Sequence, residues 1–114
     1  MKSEAVRRFN GLKRRAKDRD IRVELTLDQF KQITAKPCVY CGRFTKGKKH
    51  TGVDRIDSNL DYTLSNSAPC CRFCNLAKND LSVEEFVGNV LRVCLFQFAP
   101  EVLAEPCSRV ENWV

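Results

Sequence analysis

The sequence predicts a small α+β domain, and three features support that class. Helical periodicity marks both ends of the chain, and short extended segments lie between them. Two Cys-x-x-Cys pairs, Cys38 with Cys41 and Cys71 with Cys74, bracket the central segment. Four thiolates at this spacing are the ligands that tetrahedral zinc prefers. At 114 residues the chain has room for one domain with a thin core, so a structural zinc ion would help to stabilise it.

The N-terminal third is predicted to form two helices with an extended segment between them. In residues 3–18 the apolar side chains recur at helical spacing, while arginines and lysines cover the remaining surface. Residues 21–25 alternate strictly between apolar and polar side chains, which predicts a short extended stretch. Thr26 and Gln29 form a capping-box pattern that opens a short helix extending to about residue 34.

The rest of the chain is predicted to contain short strands and two further helices. The predicted elements are a loop at 42–52, a strand at 53–57, a polar loop at 58–67, a strand at 68–70 and a helix at 71–79. Ser82 and Glu85 form a second capping-box pattern, and the C-terminal helix after it is expected to pack through one apolar face. That face consists of Phe86, Val87, Val90, Leu91, Cys94 and Phe98.

This order of elements divides the chain into three predicted segments. Residues 1–36 form a basic N-terminal helical extension. Residues 37–99 form the zinc domain with its trailing helix, and residues 100–114 form a C-terminal tail with weak structural signals.

The positive charge of the chain favours a polyanionic partner, most simply a nucleic acid. The net charge is +6 and the pI is about 9.1. Eight basic residues fall within the first 19 positions, and a second basic cluster precedes the central segment. The alternative is an amphipathic helix whose charges are only solvated. The candidate contacts to the phosphate backbone are Arg7, Arg8, Arg14, Arg15, Lys48 and Lys49.

The cysteine count indicates a reducing compartment. Seven cysteines cannot all be paired in disulfides, and thiolates bound to zinc are typical of intracellular proteins. No secretory pattern opens the chain and no apolar run approaches membrane-spanning length, so we expect neither secretion nor a membrane partner. Cys70 is an alternative to Cys71 as a ligand, Cys94 is expected in the core, and Cys107 is expected to be a free thiol.

Further motifs lie around the cysteine pairs, between about residues 37 and 86. They are Cys38-Val39-Tyr40-Cys41-Gly42, Val53-Asp54-Arg55-Ile56-Asp57, Asp61-Tyr62-Thr63-Leu64-Ser65-Asn66, Cys71-Arg72-Phe73-Cys74-Asn75-Leu76-Ala77-Lys78 and Ser82-Val83-Glu84-Glu85-Phe86. In order, spacing and residue type they resemble the HNH endonuclease family, in its phage-type form with a four-cysteine zinc site. The resemblance implies a ββα-metal fold, in which two strands and a helix surround a catalytic metal.

The resemblance also implies a divalent metal, Mg²⁺ or Mn²⁺, on the scissile phosphate of DNA. By position, Asp54 would be the metal-binding acid and Asn66 the loop asparagine. Asn75, and Asn79 one turn later on the same face, would supply the helix ligand. The alternative for Asp54 is a structural salt bridge with a basic residue.

The position of the family's first histidine, which deprotonates the attacking water, is occupied by Arg55. An arginine stays protonated, so it cannot accept a proton from water, although it can hold a phosphate and stabilise its charge. His50 lies four residues before Asp54, about 13 Å away in a straight strand. It is therefore not expected to replace the missing base.

Two functions remain open from the sequence. The first is an HNH-type metal-dependent DNA endonuclease that hydrolyses phosphodiester bonds, with its catalytic site at Asp54, Arg55, Asn66 and Asn75. The second is a non-catalytic, zinc-bound DNA-binding or structural module within a larger assembly, such as a viral one. Either function places the chain in the cytoplasm or nucleus of a host cell, or in a virion.

Overall fold

The computed structural model describes residues 3–44 and 51–103. Its helices and strands are α1 (Glu4–Asp18), α2 (Leu27–Thr34), β1 (Gly52–Arg55), β2 (Ser67–Cys70), α3 (Arg72–Lys78) and α4 (Val83–Phe98). Two short 3₁₀ turns lie at Leu64–Asn66 and Pro100–Val102. The chain divides into two compact units, Met1–Ser82 and Val83–Val114.

Both N-terminal helices begin at a hydroxyl side chain that caps the first turn. Ser3 accepts a hydrogen bond from the Val6 N–H at 3.2 Å, which opens α1. At the start of α2 the Thr26 hydroxyl accepts from the Gln29 N–H at 3.1 Å, and the Gln29 side chain accepts from the Thr26 N–H at 3.0 Å. This reciprocal pair confirms the capping box predicted from the sequence, and it satisfies two N–H groups that a helix end otherwise leaves unpaired.

The core of the first unit joins the two N-terminal helices to the sheet. The Phe9 and Phe30 rings, from α1 and α2, lie 5.1 Å apart between centroids. Val53 of β1 packs into the same cluster. The cluster consists of Phe9, Leu12, Leu25, Phe30, Ile33 and Val53. The first two helices therefore bury their apolar faces against the hairpin.

The sheet consists of two antiparallel strands. In the register of β1 and β2, Asp54 lies opposite Ala68 and Arg55 lies opposite Ser67. Neighbouring residues of a strand point to opposite faces, so the Asp54 and Arg55 side chains leave β1 on different sides. β1 ends at Arg55, two residues before the predicted end, because the chain turns there into a loop that Asn66 holds.

The predicted extended stretch at 21–25 lies between α1 and α2, but it does not form a strand of the sheet. Val23 forms a single parallel bridge with Tyr62, and no longer ladder follows. The Glu24 N–H donates to the Tyr62 carbonyl at 2.8 Å, and the Tyr62 N–H donates to the Arg22 carbonyl at 3.0 Å. The alternation of side chains instead reflects burial, since Leu25 is a core residue between two helices.

The second unit contains α4, and its predicted packing face is mostly exposed. Phe86 is buried, but Val87, Val90, Leu91 and Phe98 are each about half exposed or more, and Cys94 is exposed rather than in a core. Helical periodicity shows which residues share a face, but not whether anything covers that face. Among the described residues, no helix is long and apolar enough to cross a membrane.

Candidate metal centre and active-site cleft

Four cysteine sulfurs form a cluster that can hold one metal ion. The Sγ atoms of Cys38, Cys41, Cys71 and Cys74 all lie within 4.8 Å of one another, and those of Cys41 and Cys71 are 3.7 Å apart. A tetrahedral zinc ion with Zn–S bonds of about 2.3 Å requires sulfurs about 3.8 Å apart. The cluster therefore fits a tetrahedral four-thiolate site.

A tight turn and a contact with β2 position the first cysteine pair. The Cys38 N–H donates to the Arg43 carbonyl at 2.9 Å, and the Gly42 N–H donates to the Cys38 carbonyl at 2.9 Å. Gly42 has a φ of 74°, which a residue without a Cβ adopts at little cost. The Val39 N–H donates to the Pro69 carbonyl at 2.8 Å. The turn thus directs both sulfurs toward the end of the sheet.

The second cysteine pair lies at the start of α3. Cys71 is the N-cap residue, and its sulfur accepts from the Cys74 N–H at 3.4 Å. The Arg43 guanidinium donates to the same sulfur at 3.6 Å. Burial raises the pKa of Cys74, whereas backbone N–H groups around Cys38 outweigh its burial and lower its pKa to about 6.

Of the other cysteines that the structure describes, neither Cys70 nor Cys94 belongs to the cluster. Cys71 belongs to it and Cys70 does not, which resolves the alternative that the sequence left open. The Cys70 side chain is buried and donates to the Cys71 carbonyl at 3.4 Å, and burial raises its pKa. Cys107 lies outside the described residues.

A cleft of about 690 Å³ in the first unit lies among α1, β1 and α3. It brings basic residues of the first helix to the same place as polar residues of the hairpin and of α3. Of the residues singled out in the sequence, the lining includes Arg7, Arg8, Arg14, Arg15, Asp54, Arg55, Asn75 and Asn79. Asn66 is not among the lining residues.

Asp54 is buried and held by two side chains. Its Oδ2 accepts a hydrogen bond from the Tyr40 hydroxyl at 2.6 Å and lies 3.3 Å from the Lys78 Nζ. Lys78 is completely buried and also donates to the Arg55 carbonyl at 3.2 Å. Burial and the neighbouring Asp54 raise the pKa of Tyr40, so the phenol stays protonated. Asp54 therefore does form the salt bridge that the sequence left open, with Lys78 as its partner.

Arg55 points away from Asp54 and holds the loop that follows β1. Its Nη1 donates to the Leu60 carbonyl at 2.9 Å, and its guanidinium lies 5.5 Å from the centre of the Tyr62 ring. The side chain is largely buried but reaches the cleft. Arg55 thus has a structural contact in addition to any contact with a ligand.

Asn66 is a buried loop anchor. Its Oδ1 accepts from the Asp57 N–H at 2.8 Å, and its Nδ2 donates to the carbonyls of Asp57 at 3.0 Å and Asp61 at 2.9 Å. Asp57 accepts from the Asn59 N–H, as a carboxylate at the entry of a loop does. The amide of Asn66 is therefore fully engaged in shaping the loop behind β1.

Asn75 of α3 and the C-cap residue Asn79 are both exposed at the cleft. Asn75 lies in the helix, and Asn79 ends it with a φ of 48° while its N–H donates to the Asn75 carbonyl at 3.1 Å. Within residues 3–44 and 51–103, neither side-chain amide forms a hydrogen bond. The side-chain oxygens of both asparagines are therefore available to a ligand.

The predicted DNA-contacting arginines differ in their surroundings. Arg8 donates to the Thr51 carbonyl at 2.5 Å and lies over the Phe30 ring, so it links α1 to β1. Burial lowers the pKa of Arg8. Arg7, Arg14 and Arg15 are exposed. Lys48, Lys49 and His50 lie outside the described residues.

Sequence analysis missed Tyr40 and Lys78. Both residues were named only within the motifs that resemble the HNH family, and neither was given a role. One signal for Lys78 was available: it follows Cys74 of the sulfur cluster by four residues, so both share the helix face that turns toward the hairpin. A lysine on that face is buried and needs a carboxylate partner.

Comparisons with known proteins support the fold. The chain is 35% identical over 88 residues to the uncharacterized protein R423 of Acanthamoeba polyphaga mimivirus, a match that covers 77% of this chain and 16% of that protein. It is also similar to the solved structure of the rare-cutting HNH restriction endonuclease PacI, with a TM-score of 0.62 and 20% identity over 77% of this chain and 76% of that one. No protein-family model matches. The fold is HNH-like.

Proposed function

We propose that the chain is a zinc-stabilised, metal-dependent DNA endonuclease of the HNH type. The observation that carries this proposal is the cleft, in which Asp54, Asn75 and Asn79 lie together with several arginines of α1. Oxygen ligands beside a basic surface suit a phosphate group and a divalent metal together. The HNH-like fold, and the similarity to an HNH restriction endonuclease, support the same reaction class.

The residues of the cleft fit a divalent metal. Within the described residues both contacts of the Asp54 carboxylate fall on Oδ2, so Oδ1 is open to a ligand. The amide oxygens of Asn75 and Asn79 line the same cleft, and carboxylate, amide and phosphate oxygens are the ligands that Mg²⁺ and Mn²⁺ prefer. A divalent ion held there would neutralise charge on the scissile phosphate and make a bound water more acidic.

The protein's own side chains divide the remaining tasks. Arg7, Arg14 and Arg15 give sequence-independent contacts to the phosphate backbone. Arg55 stabilises charge on the phosphate through the guanidinium N–H groups that the Leu60 carbonyl does not use. Asn66 shapes the loop after β1 that Arg55 contacts. Arg55 occupies the position expected of the general base and cannot accept a proton. General-base assistance typically increases the rate by about 10² to 10⁴, and this increase is lost here. We therefore expect slow hydrolysis.

A non-catalytic DNA-binding module is the second candidate. The salt bridge between Asp54 and Lys78 favours it, because a carboxylate that is already paired attracts a metal less strongly. The basic cleft serves DNA binding under either function. The two candidates differ only in whether the bound phosphodiester is hydrolysed.

Nicking of supercoiled plasmid tests the proposal. The zinc-loaded protein is incubated with plasmid and Mg²⁺ or Mn²⁺, beside Asp54→Ala, Arg55→His and Asn59→Ala variants. We expect the unmodified protein to nick slowly and Asp54→Ala to lose at least about 100-fold in rate. Arg55→His is expected to be faster, since an imidazole can act as the base. Asn59, an exposed loop residue, serves as the control that leaves the rate unchanged.

The outcomes separate the two candidates. Nicking that survives Asp54→Ala would exclude Asp54 as the metal ligand. Plasmid that stays supercoiled with every variant, while a gel-shift assay shows binding, would favour the non-catalytic module. Activity in Arg55→His alone would identify a metal centre whose base has been lost.

A further inference from the structure

We propose that Lys78 makes metal binding in the cleft dependent on nucleic-acid phosphate, so that the divalent ion and DNA enter the site together. The proposal rests on the proposed function, in which Asp54 binds the metal. Lys78 would act through Asp54 as a positioning residue and would not touch the substrate. Three observations support it: the buried position of the Lys78 ammonium, its contact with only one oxygen of Asp54, and the positive charge of the cleft lining.

The Lys78 ammonium is fixed inside the protein. Its side chain has no exposed surface, and its Nζ lies 3.3 Å from the Asp54 Oδ2 and 3.2 Å from the Arg55 carbonyl oxygen. A buried ammonium is costly unless charged and polar partners surround it, so this lysine cannot turn out into solvent without losing both contacts. The Lys78 ammonium is therefore held in a fixed position beside the proposed metal ligand.

The contacts of Asp54 leave one oxygen for a metal. Tyr40 and Lys78 both bind Oδ2, and within the described part of the chain Oδ1 has no hydrogen-bond partner. The carboxylate is thus oriented, which favours one-oxygen coordination. Its negative charge is already balanced by the ammonium, and a second cation gains less from a neutralised carboxylate than from an unpaired one.

The charge of the cleft further opposes a metal ion that arrives alone. Six arginines and three aspartates line it, so arginines outnumber acids even before Lys78 is considered. A phosphodiester supplies negative charge and adds its oxygen ligands to those of Asp54, Asn75 and Asn79. Mg²⁺ is in general held by one or two carboxylates together with substrate phosphates, which is the arrangement this cleft can complete only with DNA present.

Binding of Mn²⁺, followed by electron paramagnetic resonance, tests the proposal without requiring activity. Mn²⁺ is titrated into zinc-loaded protein alone and with a short phosphorothioate DNA duplex, and the signal of the duplex alone is subtracted. We expect Mn²⁺ affinity to be at least about tenfold higher with the duplex. Lys78→Met keeps the length of the side chain but removes its charge, and it is expected to raise Mn²⁺ affinity without DNA about tenfold. Lys31→Met, on the exposed side of α2, is the matched control and should change neither affinity.

Each outcome bears on a different part of the proposal. Equal Mn²⁺ affinity with and without the duplex, abolished by Asp54→Ala, would overturn the coupling and leave the proposed metal ligand in place. Duplex-dependent binding that Asp54→Ala does not reduce would overturn both the coupling and the proposed function. Duplex-dependent binding with no gain in Lys78→Met would overturn the assignment to Lys78. If Lys78→Met does not fold, as its circular dichroism would reveal, the comparison on the unmodified protein still decides whether metal and DNA bind together.

Discussion

Buried polar side chains determine the geometry of the site at the scale of single residues. Asp54, Asn66 and Lys78 are all buried, and each contacts named partners through a polar atom of its side chain. A buried polar group without a partner costs about 1–3 kcal/mol, so these contacts are strongly maintained. Asn66 shapes the loop behind β1, whereas Lys78 fixes the carboxylate that faces the cleft. Neither residue needs to touch a ligand to matter for function.

Replacing Asn66 is the first test at this scale. Asn66→Ala removes three hydrogen bonds to the loop between Asp57 and Asp61. At about 1 kcal/mol for each bond, we expect the free energy of unfolding to fall by about 3 kcal/mol. Urea denaturation of the zinc-loaded protein measures it. Asn59→Ala, in the same loop but exposed, should change stability by less than about 0.5 kcal/mol. Equal stability of the two variants would show that the amide of Asn66 is not an anchor.

At the scale of secondary-structure elements, the stability of a short helix depends on its cap and on its packing against the core. α2 has eight residues, which is too short to be stable alone in water. Its capping box pairs two terminal N–H groups, and Phe30 and Ile33 bury one face in the core. The packing of α2 against β1 positions the hairpin so that Asp54 lines the same cleft as α1. A weak cap would thus reduce stability without changing the chemistry of the cleft.

Replacing Thr26 tests the contribution of the cap. Thr26→Ala removes the hydroxyl that accepts from the Gln29 N–H, and we expect a loss of about 1 kcal/mol. Thr26→Ser keeps a hydroxyl and should retain most of the stability. The midpoint of urea denaturation distinguishes the two variants. If serine and alanine destabilise equally, the loss arises from the threonine methyl group rather than from the cap.

At the scale of the whole molecule the four-cysteine cluster connects distant parts of the first unit. It joins the turn around Cys38 and Cys41 to the start of α3, and the hairpin lies between them in the chain. α3 carries Asn75, which lines the cleft, and Lys78, which forms the ion pair with Asp54. A metal in the cluster would therefore hold α3 against β1, and the geometry of the cleft depends on that contact.

Removal of the proposed zinc ion tests this dependence. Structural zinc contributes on the order of 10 kcal/mol, which is comparable to the total stability of a small domain. Cys74→Ser is expected to lose the bound zinc, measured by elemental analysis, and to lose the dispersed amide spectrum of a folded protein. Cys94→Ser, at an exposed cysteine outside the cluster, should keep one zinc per chain and the folded spectrum. A folded, zinc-free Cys74→Ser variant would show that the metal is not structural.

The sequence by itself determined the features that depend on local chemistry. Cys-x-x-Cys spacing predicted the sulfur cluster, the Thr26 pattern predicted the cap of α2, and the positions of the main helices and of the hairpin followed from periodicity and from the family resemblance. Within each cysteine pair and within the capping box the residues are close in the chain, so spacing alone fixes which atoms can meet. The exposure of Cys94 and of most of the apolar face of α4 was not predicted, because helical periodicity does not reveal what covers a residue.

Only the tertiary structure decided which residues meet across long separations in the chain. Asp54 lies 24 residues from Lys78 and 14 from Tyr40, and no local pattern connects them. The arginines of α1 are also distant in sequence from the other cleft residues. They reach the cleft because Phe9, Phe30 and Val53 pack together and hold α1 against the hairpin. Contacts of this kind follow from burial of apolar surface, which is non-directional, and the pairing of buried charges is settled only after the elements have packed.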